Sequence, residues 1–275
     1  MKPESARTQL STQEAYVKEH KRYHNKITLC RLTIFLLFLT AWELAADLKR
    51  IDAFFFSSPS RVLTCLLELV TEKNLFLHIG ITLYETIISF LLVFLFGMLT
   101  ATLLWYSEGI SEILEPYLVI LNSLPKSALA PLFIVWLGTG SLTIVVAGIS
   151  VAVFGSIISL YTGFKSVDAE KITLIYTLGG SKKDAFTKVV LPASIPTVLS
   201  TMKVNIGLAL VGVIIGEFLA ARRGLGYLII YGSQVFQMHM VITSIILLCL
   251  IAMGLYLSIG YACLLYTSPS PRDCS

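Results

Sequence analysis

Charged side chains are scarce in this chain. Asp, Glu, Lys and Arg make up 14% of its 275 residues, whereas soluble domains carry about 25%. Hydrophobic residues reach 56%, so too few solvating side chains remain to cover a soluble domain of this size. The composition therefore excludes a soluble enzyme and a disordered chain. The mild net charge of +4 also provides no basic face of the kind that binds nucleic acid.

Motifs for catalysis and for metal binding are missing as well. No glycine is followed by lysine, so the phosphate-binding loop of many ATPases is absent. The five cysteines include no C-x-x-C pair, which removes the usual zinc spacing. We therefore predict that this chain has no catalytic site, no metal site and no cofactor of its own.

Long apolar runs are abundant instead. A helix that crosses a membrane needs about 20 apolar residues, and the sequence predicts six of them, at residues 27–46, 79–106, 117–137, 142–161, 204–221 and 240–262. A polar leader, residues 1–26, precedes the transmembrane domain at 27–262. The predicted fold is an all-α polytopic protein of the cell membrane, surrounded by lipid.

Basic residues predict how these spans are oriented. Six lysines and arginines lie in the leader and six in the long polar loop at 164–203, against six in the segments on the other side. Because cytoplasmic loops carry the excess of lysine and arginine, the N-terminus and this loop are expected in the cytoplasm.

The last residues, 263–275, contain the run CLLYTSPSPRD. This run resembles the translation of an adapter used in sequencing libraries, so we expect the segment to be non-native and the natural C-terminus to be missing. A short natural polar tail is the alternative.

The loop at 164–203 is the longest polar interruption of the apolar body. Gly179 or Gly180 is expected to take a positive φ and to join two short helices. Pro192 is expected to stop the second helix. Such a helical pair could protrude into a groove of a cytoplasmic partner; an ordinary connection between spans is the alternative.

Spacing within this loop resembles the coupling loop of bacterial ATP-binding-cassette (ABC) importer permeases. That family's pattern is E-A-A, three residues, Gly, nine residues, Ile, one residue, Leu-Pro. Here Gly179, Leu191 and Pro192 match, and Val189 replaces Ile. The E-A-A triplet has become Thr-Leu-Ile from Thr173 onward, which removes a carboxylate. The nearby carboxylates that could substitute are Asp168 and Glu170.

Three further stretches resemble the sulfonate, nitrate and taurine branch of these permeases. They are LPKSALAPLFIVWLG at 124–138, VLPASIP at 190–196, and GEF with GLGY between 216 and 227. The resemblance covers residues 74–261. It implies a homodimer around a pore, a separate ABC ATPase subunit that binds the ATP, and an extracytoplasmic solute-binding protein. The implied solute is a small oxyanion, although relatives in the family carry pyrimidine or vitamin precursors.

Pore candidates follow from polar residues inside the spans. Lys126 lies between Pro125 and Pro131, where a charge costs about 2.5–3.5 kcal/mol to insert. One interpretation is a pore-lining cation that attracts an anionic solute. The alternatives are that its amino group reaches the membrane surface or pairs with a carboxylate.

Gate candidates lie on the fifth span. Gly212 and Gly216 have the G-x-x-x-G spacing at which helices pack closely, and the partner helix could belong to this chain or to a second copy. Glu217 follows as a candidate gate residue. A hydrogen bond between helices, or a pair with Arg222 or Arg223, is its alternative and favoured interpretation.

A gradient-driven secondary transporter is the rival function. It would ordinarily show internal repeats and paired broken helices, whereas only the third span of this chain is visibly broken, at Pro125, Lys126 and Pro131. A membrane-embedded enzyme or scaffold would need a cluster of polar residues within the spans, and none is evident.

Overall fold

A computed structural model describes residues 4–71 and 74–266, and within these ranges every regular element is helical. The helices, in chain order, are α1 Glu4–Asp47, α2 Ala53–Phe56, α3 Pro59–Thr71, α4 Leu75–Tyr106, α5 Glu108–Ser123, α6 Lys126–Leu137, α7 Ser141–Lys165, α8 Ala169–Thr177, α9 Lys182–Ala185, the π segment Phe186–Val190, α10 Leu191–Ala193, α11 Ile195–Ala220, α12 Leu225–Gln234 and α13 Met238–Tyr266. The chain forms two compact units, Met1–Thr64 and Cys65–Ser275. The tail predicted to be non-native lies mostly outside the described residues.

Within the described ranges, five helical stretches are long and apolar enough to cross a membrane, namely Arg22–Asp47 of α1, α4, α7, α11 and Met238–Ala262 of α13. The pair α5 and α6 supplies a sixth when it is counted as one bent span. The predicted all-α polytopic fold is therefore confirmed. Sequence reasoning missed α12, a helix of 10 residues between the fifth and sixth spans.

The third span is broken at one place. Helices α5 and α6 meet at an angle of 93°, on either side of Leu124 and Pro125. Pro125 has an extended backbone, which a helix cannot continue through. Pro131 was also expected to break the span, and this is wrong: it lies inside α6, one turn from its start. As the sixth residue of a helix of 12 residues, Pro131 removes one helical hydrogen bond without ending the helix.

Within the first unit, α1 runs without interruption from the predicted leader into the first span. No helix boundary falls near residue 27. Glu43 of this helix accepts hydrogen bonds from the Ser60 amide, at 3.0 Å, and from the Ser60 hydroxyl, at 2.7 Å. A carboxylate at the first turn of α3 satisfies a free amide and favours that helix end electrostatically.

Within the second unit, α7 is the central helix and packs along both α4 and α11. Glycine makes the approach of α11 possible. A β-carbon on Gly212 would lie only 2.7 Å from Cα of Gly148, and one on Gly216 would lie 2.9 Å from Cα of Ile144. The G-x-x-x-G pair therefore packs against α7 of the same chain. A buried hydrogen bond of 2.8 Å from Asn205 Nδ2 to Ser156 Oγ adds a polar link between α11 and α7.

Candidate functional site

The coupling segment, residues 166–194, follows α7 directly. Its first helix, α8, is capped by Asp168, whose carboxylate accepts a hydrogen bond of 3.0 Å from the Glu170 amide. None of the α8 side chains is buried. Thr173 is exposed, and Leu174 and Leu178, the residue that ends the helix, are 58% and 75% exposed. The helix thus exposes two large apolar side chains at its C-terminal end.

Two glycines end α8, each for a different reason. Gly179 adopts φ +80°, and its amide donates to the Tyr176 carbonyl while the Gly180 amide donates to the Ile175 carbonyl. This pair of bonds is the Schellman arrangement, with Gly179 in the left-handed position. Gly180 has no positive φ, but a β-carbon there would lie 2.5 Å from Ile175 Cγ2. The left-handed turn is therefore at Gly179, whereas the close contact with Ile175 leaves no room for a side chain at Gly180.

Helix α9 starts with a capping box. The Ser181 amide donates to the Asp184 carboxylate at 3.0 Å, and the Asp184 amide donates to the Ser181 hydroxyl at 3.2 Å. Lys188 also bonds to the Asp184 carboxylate, at 2.8 Å. Hydrogen bonding to Lys188 and then to Ser181 holds the pKa of Asp184 below its ordinary value of 3.8. These contacts make α9 and the following turn one local unit.

Pro192 does not stop the second helix, contrary to expectation. The backbone remains helical from the π segment through α10, and α11 begins at Ile195. In the π segment the Leu191 amide bonds to the carbonyl of Phe186, five residues earlier. A proline ring normally collides with the carbonyl four residues before it, and the wider π turn relieves that contact. Val189, the conservative match in the pattern, is partly buried here.

Lys126 is the first residue of α6, immediately after the break in the third span. Its side chain is half-buried, and Nζ donates to the backbone carbonyl of Asn122. Among the described residues, Lys126 has no carboxylate partner within ion-pair distance. The structure thus places a cation at the bend of a broken span, paired only with a backbone dipole; its role as a pore residue stays a prediction.

Glu217 lies in a buried hydrogen-bond network. Its side chain is 1% exposed, with Oε1 accepting from the Thr82 hydroxyl and Oε2 from the Gly226 amide, both at 2.6 Å. The Thr82 hydroxyl in turn accepts from the Leu225 amide at 2.9 Å. The alternative of a hydrogen bond between helices is what the structure shows.

The neighbourhood of this network explains its shape. Among the residues that the structure describes, Glu217 forms no ion pair with Arg222 or Arg223. Gly224 adopts φ +122°, and a β-carbon there would lie 2.5 Å from the Glu217 carboxyl carbon. Glu85, one turn along α4 from Thr82, is completely buried, and neither of its carboxylate oxygens has a hydrogen-bond partner among the described residues.

Sequence reasoning missed several of these residues. The partner of Glu217, Thr82, is 135 positions away, and no local pattern signals that contact. The aromatic residues that surround Phe186 belong to α4 and α7 and were likewise not anticipated. His20 and His24 are spaced four residues apart on α1 with ring centroids 4.8 Å apart, yet within the described ranges no group of three or more His, Cys, Asp or Glu could hold a metal.

Comparison with known proteins agrees with this arrangement. Residues 54–265 match the family described as "Binding-protein-dependent transport system inner membrane component". The "Probable ABC transporter permease protein" of Haemophilus influenzae is 32% identical over 86% of this chain and 96% of its own length. The formylaminopyrimidine transport permease protein ThiX of Halalkalibacterium halodurans is 29% identical, over 70% of this chain and 76% of its own. The taurine transport system permease protein TauC of Escherichia coli is 27% identical, over 85% and 86%.

A solved structure shows the same fold. The inward-facing MetNI methionine ABC transporter contains a chain that superposes with a TM-score of 0.64, covering 72% of this chain and 99% of that one at 18% identity. The resemblance stated from the coupling-loop residues is confirmed by the family match. The chain belongs to the binding-protein-dependent transport inner membrane components, the permease subunits of ABC importers.

Proposed function

We propose that two copies of this chain form the pore of an importer for a small anionic solute. The family implies a separate ABC ATPase and a solute-binding protein; here the ATPase binds the coupling segment from the cytoplasm and the binding protein docks on the opposite face. The leader lies in the cytoplasm, in accord with the basic residues of the leader and of the loop at 164–203. The single observation that carries the proposal is the large apolar side chains that α8 exposes, in a segment otherwise anchored to the chain.

Helix α8 is the proposed ATPase-binding surface. Leu174 and Leu178 expose large apolar side chains in a part of the chain that lies outside the membrane, and such a face is stabilised when a partner's groove covers it. The family's carboxylate is replaced by Thr173, which has no charge. Asp168 uses an oxygen to cap α8, whereas the carboxylate of the exposed Glu170 accepts no hydrogen bond from the described residues and is free to bind a partner. Glu170 is therefore the better substitute.

Lys126 is the proposed anion-attracting residue. A charge inside a membrane protein is tolerated where it faces a water-filled cavity, and irregular backbone at membrane depth lines such cavities. Lys126 is a half-buried cation at the 93° bend of a broken span, which supports its assignment to the pore. Taurine, the solute named for one relative, carries a sulfonate that a lysine would attract.

A pyrimidine precursor is the second candidate solute. It is favoured by the 29% identity to the formylaminopyrimidine permease. Such a solute carries no sulfonate for Lys126 to attract, so the contribution of Lys126 to uptake separates the two candidates.

The test is uptake by the chain reconstituted in lipid vesicles with its ATPase and its binding protein. We expect ATP-dependent uptake of taurine or another sulfonate, reduced by Lys126→Ala without loss of bound ATPase. Arg222→Ala removes an exposed positive charge outside the bend and serves as the matched control. If the transporter instead imports formylaminopyrimidine and Lys126→Ala does not affect that uptake, the solute is the pyrimidine precursor and not an anion.

Energy coupling and the docking surface have their own outcomes. Uptake that survives ATP depletion but collapses with a protonophore would overturn the importer mechanism in favour of a secondary transporter. Leu174→Glu should abolish co-purification of the ATPase, whereas Thr187→Glu, at an exposed residue of the same segment outside α8, should not. Equal loss with both variants would contradict the assignment of α8.

A further inference from the structure

The two halves of the coupling segment are anchored very differently. Helix α8 buries none of its side chains. By contrast, Ala185, Phe186 and Val190 are 0%, 7% and 0% exposed. The part of the segment around the π turn therefore makes its deepest contacts with the helical core, whereas α8 reaches the buried cluster that contains Phe186 only through the partly buried Ile172.

Phe186 makes the aromatic contacts of this anchor. Its ring centroid lies 5.0 Å from that of Trp105 and 5.5 Å from that of Tyr106, at the end of α4. It also lies 5.5 Å from the ring of Phe164, at the end of α7, with the two planes at 89°. Edge-to-face rings at such distances attract each other beyond their buried area. One side chain thus touches the ends of two spans.

Local geometry makes the anchor a unit with α9. Lys182 Nζ lies 5.7 Å from the Trp105 ring centroid, a cation–π contact on the same ring that packs on Phe186. The capping box and the pair between Asp184 and Lys188 hold α9 to the π segment. A π turn within a helix is uncommon and often marks a functional position. In this chain the π turn lies between α8 and α11, the fifth span.

The residues around Phe186 connect it to α4, α7 and α11. Phe164 and Phe186 belong to one buried cluster with Leu104 of α4 and Leu160 of α7. Helix α7 packs along both α4 and α11. A displacement of Phe186 is therefore applied to α4 and α7 directly and to α11 through α7. Packed side chains that join two sites are the physical means by which such coupling is carried.

We propose that Phe186 is the positioning residue through which a displacement of α8 by the ATPase reaches α4 and α7. This rests on the proposed function, in which α8 binds the ATPase. Phe186 touches neither ATP nor solute, and it acts by keeping the π segment in register with the rings of Trp105 and Phe164. Without that ring the ATPase still binds α8, but the displacement of α8 is transmitted less effectively to α4 and α7.

The test uses the full transporter with ATPase and binding protein, and it compares Phe186→Ala with Phe186→Tyr. The measured quantity is solute imported per ATP hydrolysed, together with the amount of ATPase bound. We expect Phe186→Ala to keep the bound ATPase and its hydrolysis, while the solute imported per ATP falls about tenfold or more, since contacts to rings of two spans are lost. Phe186→Tyr keeps the ring and should retain most of the ratio.

Phe154→Leu is the matched control, because Phe154 packs on the same cluster from within α7 but is not among the described rings that contact Phe186. It should lower stability without changing the ratio. If Phe186→Ala does not assemble, Phe186→Leu and Trp105→Leu are measured in its place, with the same fall in the ratio expected. Variants that lose uptake, hydrolysis and bound ATPase in equal proportion would show a purely structural role and overturn the proposal. Absence of ATP-driven uptake in the unaltered protein would instead overturn the proposed function.

Discussion

Glu217 and Gly226 are joined by a hydrogen bond of 2.6 Å from the Gly226 amide to the Glu217 carboxylate, although nine residues separate them in the chain. The other carboxylate oxygen accepts from Thr82 of α4. One buried side chain on α11 thereby holds the first turn of α12 against α4. The connection between the fifth and sixth spans is fixed by this carboxyl group and not by its arginines.

Glu217→Gln should destabilise this connection. Whichever way the amide is oriented, its NH₂ group faces either the Gly226 amide or the Thr82 hydroxyl, which both donate to the present carboxylate. A buried donor without an acceptor costs about 1–3 kcal/mol. We expect a lower unfolding temperature in detergent and faster hydrogen exchange in the first turn of α12. Glu112→Gln, at an exposed residue, is the control, and equal exchange in both variants would contradict the network.

Gly212→Ala should destabilise the packing of α11 on α7. The added methyl carbon would lie 2.7 Å from Cα of Gly148 and 2.9 Å from the Ala147 carbonyl oxygen, and backbone atoms cannot move aside as a side chain can. Overpacking of this kind costs about 1–3 kcal/mol. Gly207→Ala on the same helix meets nothing within 4 Å and should be tolerated. Thermal unfolding of the two variants measures the difference, and the prediction fails if they unfold alike.

Gly179→Val should weaken binding of the ATPase without preventing insertion of the spans. The residue adopts φ +80°, a conformation that costs a side chain about 1–2 kcal/mol, and α8 would then end differently. Co-purification of the ATPase and protease protection of the spans are the two measurements. A Gly179→Val variant with normal ATPase binding would show that the turn does not position α8.

Gly180→Ala should act on the same turn through a contact. Its β-carbon would meet Ile175 Cγ2 at 2.5 Å and the Ile175 carbonyl oxygen at 2.9 Å. Adding Ile175→Ala removes the first of these contacts, so it should partly restore ATPase binding to Gly180→Ala. The same addition should not help Gly179→Val, whose defect is a backbone angle. Rescue of both variants, or of neither, would contradict the separate roles of the two glycines.

Acid should loosen α9 through Asp184. The pKa of this carboxyl group is lowered in the folded protein by its hydrogen bonds to Lys188 and to Ser181. A lowered pKa contributes stability that is fully present above the ordinary value of 3.8 and is lost as the pH falls from there towards the lowered pKa. Hydrogen exchange at residues 181–190, corrected for intrinsic rates, should accelerate below about pH 4 and stay constant at higher pH. Asp184→Asn should remove this response; an unchanged response would assign it to another group.

Local backbone chemistry accounts for what could be predicted from the sequence. Five of the apolar runs determine continuous spans, because each is long enough to satisfy its own backbone within lipid, and the remaining run is divided between α5 and α6. Pro125 determines the break in the third span, and a glycine at 179 or 180 determines the end of α8. Each of these depends on residues within a few positions of one another. The expectations for Pro131 and Pro192 were wrong, because the backbone geometry around a proline, and not the residue type alone, decides whether it interrupts a helix.

Only the tertiary structure decided which distant side chains meet. The sequence shows Glu217 inside a span, but its bond to Thr82 joins residues 135 positions apart. It shows many aromatic residues, but the packing of helix ends selects Trp105, Tyr106 and Phe164 as neighbours of Phe186. Hydropathy predicts that a helix enters the membrane, but it says little about how that helix is rotated about its own axis. Close contacts of side chains fix that rotation, because each helix of this bundle is apolar around most of its circumference and only packing distinguishes one face from another.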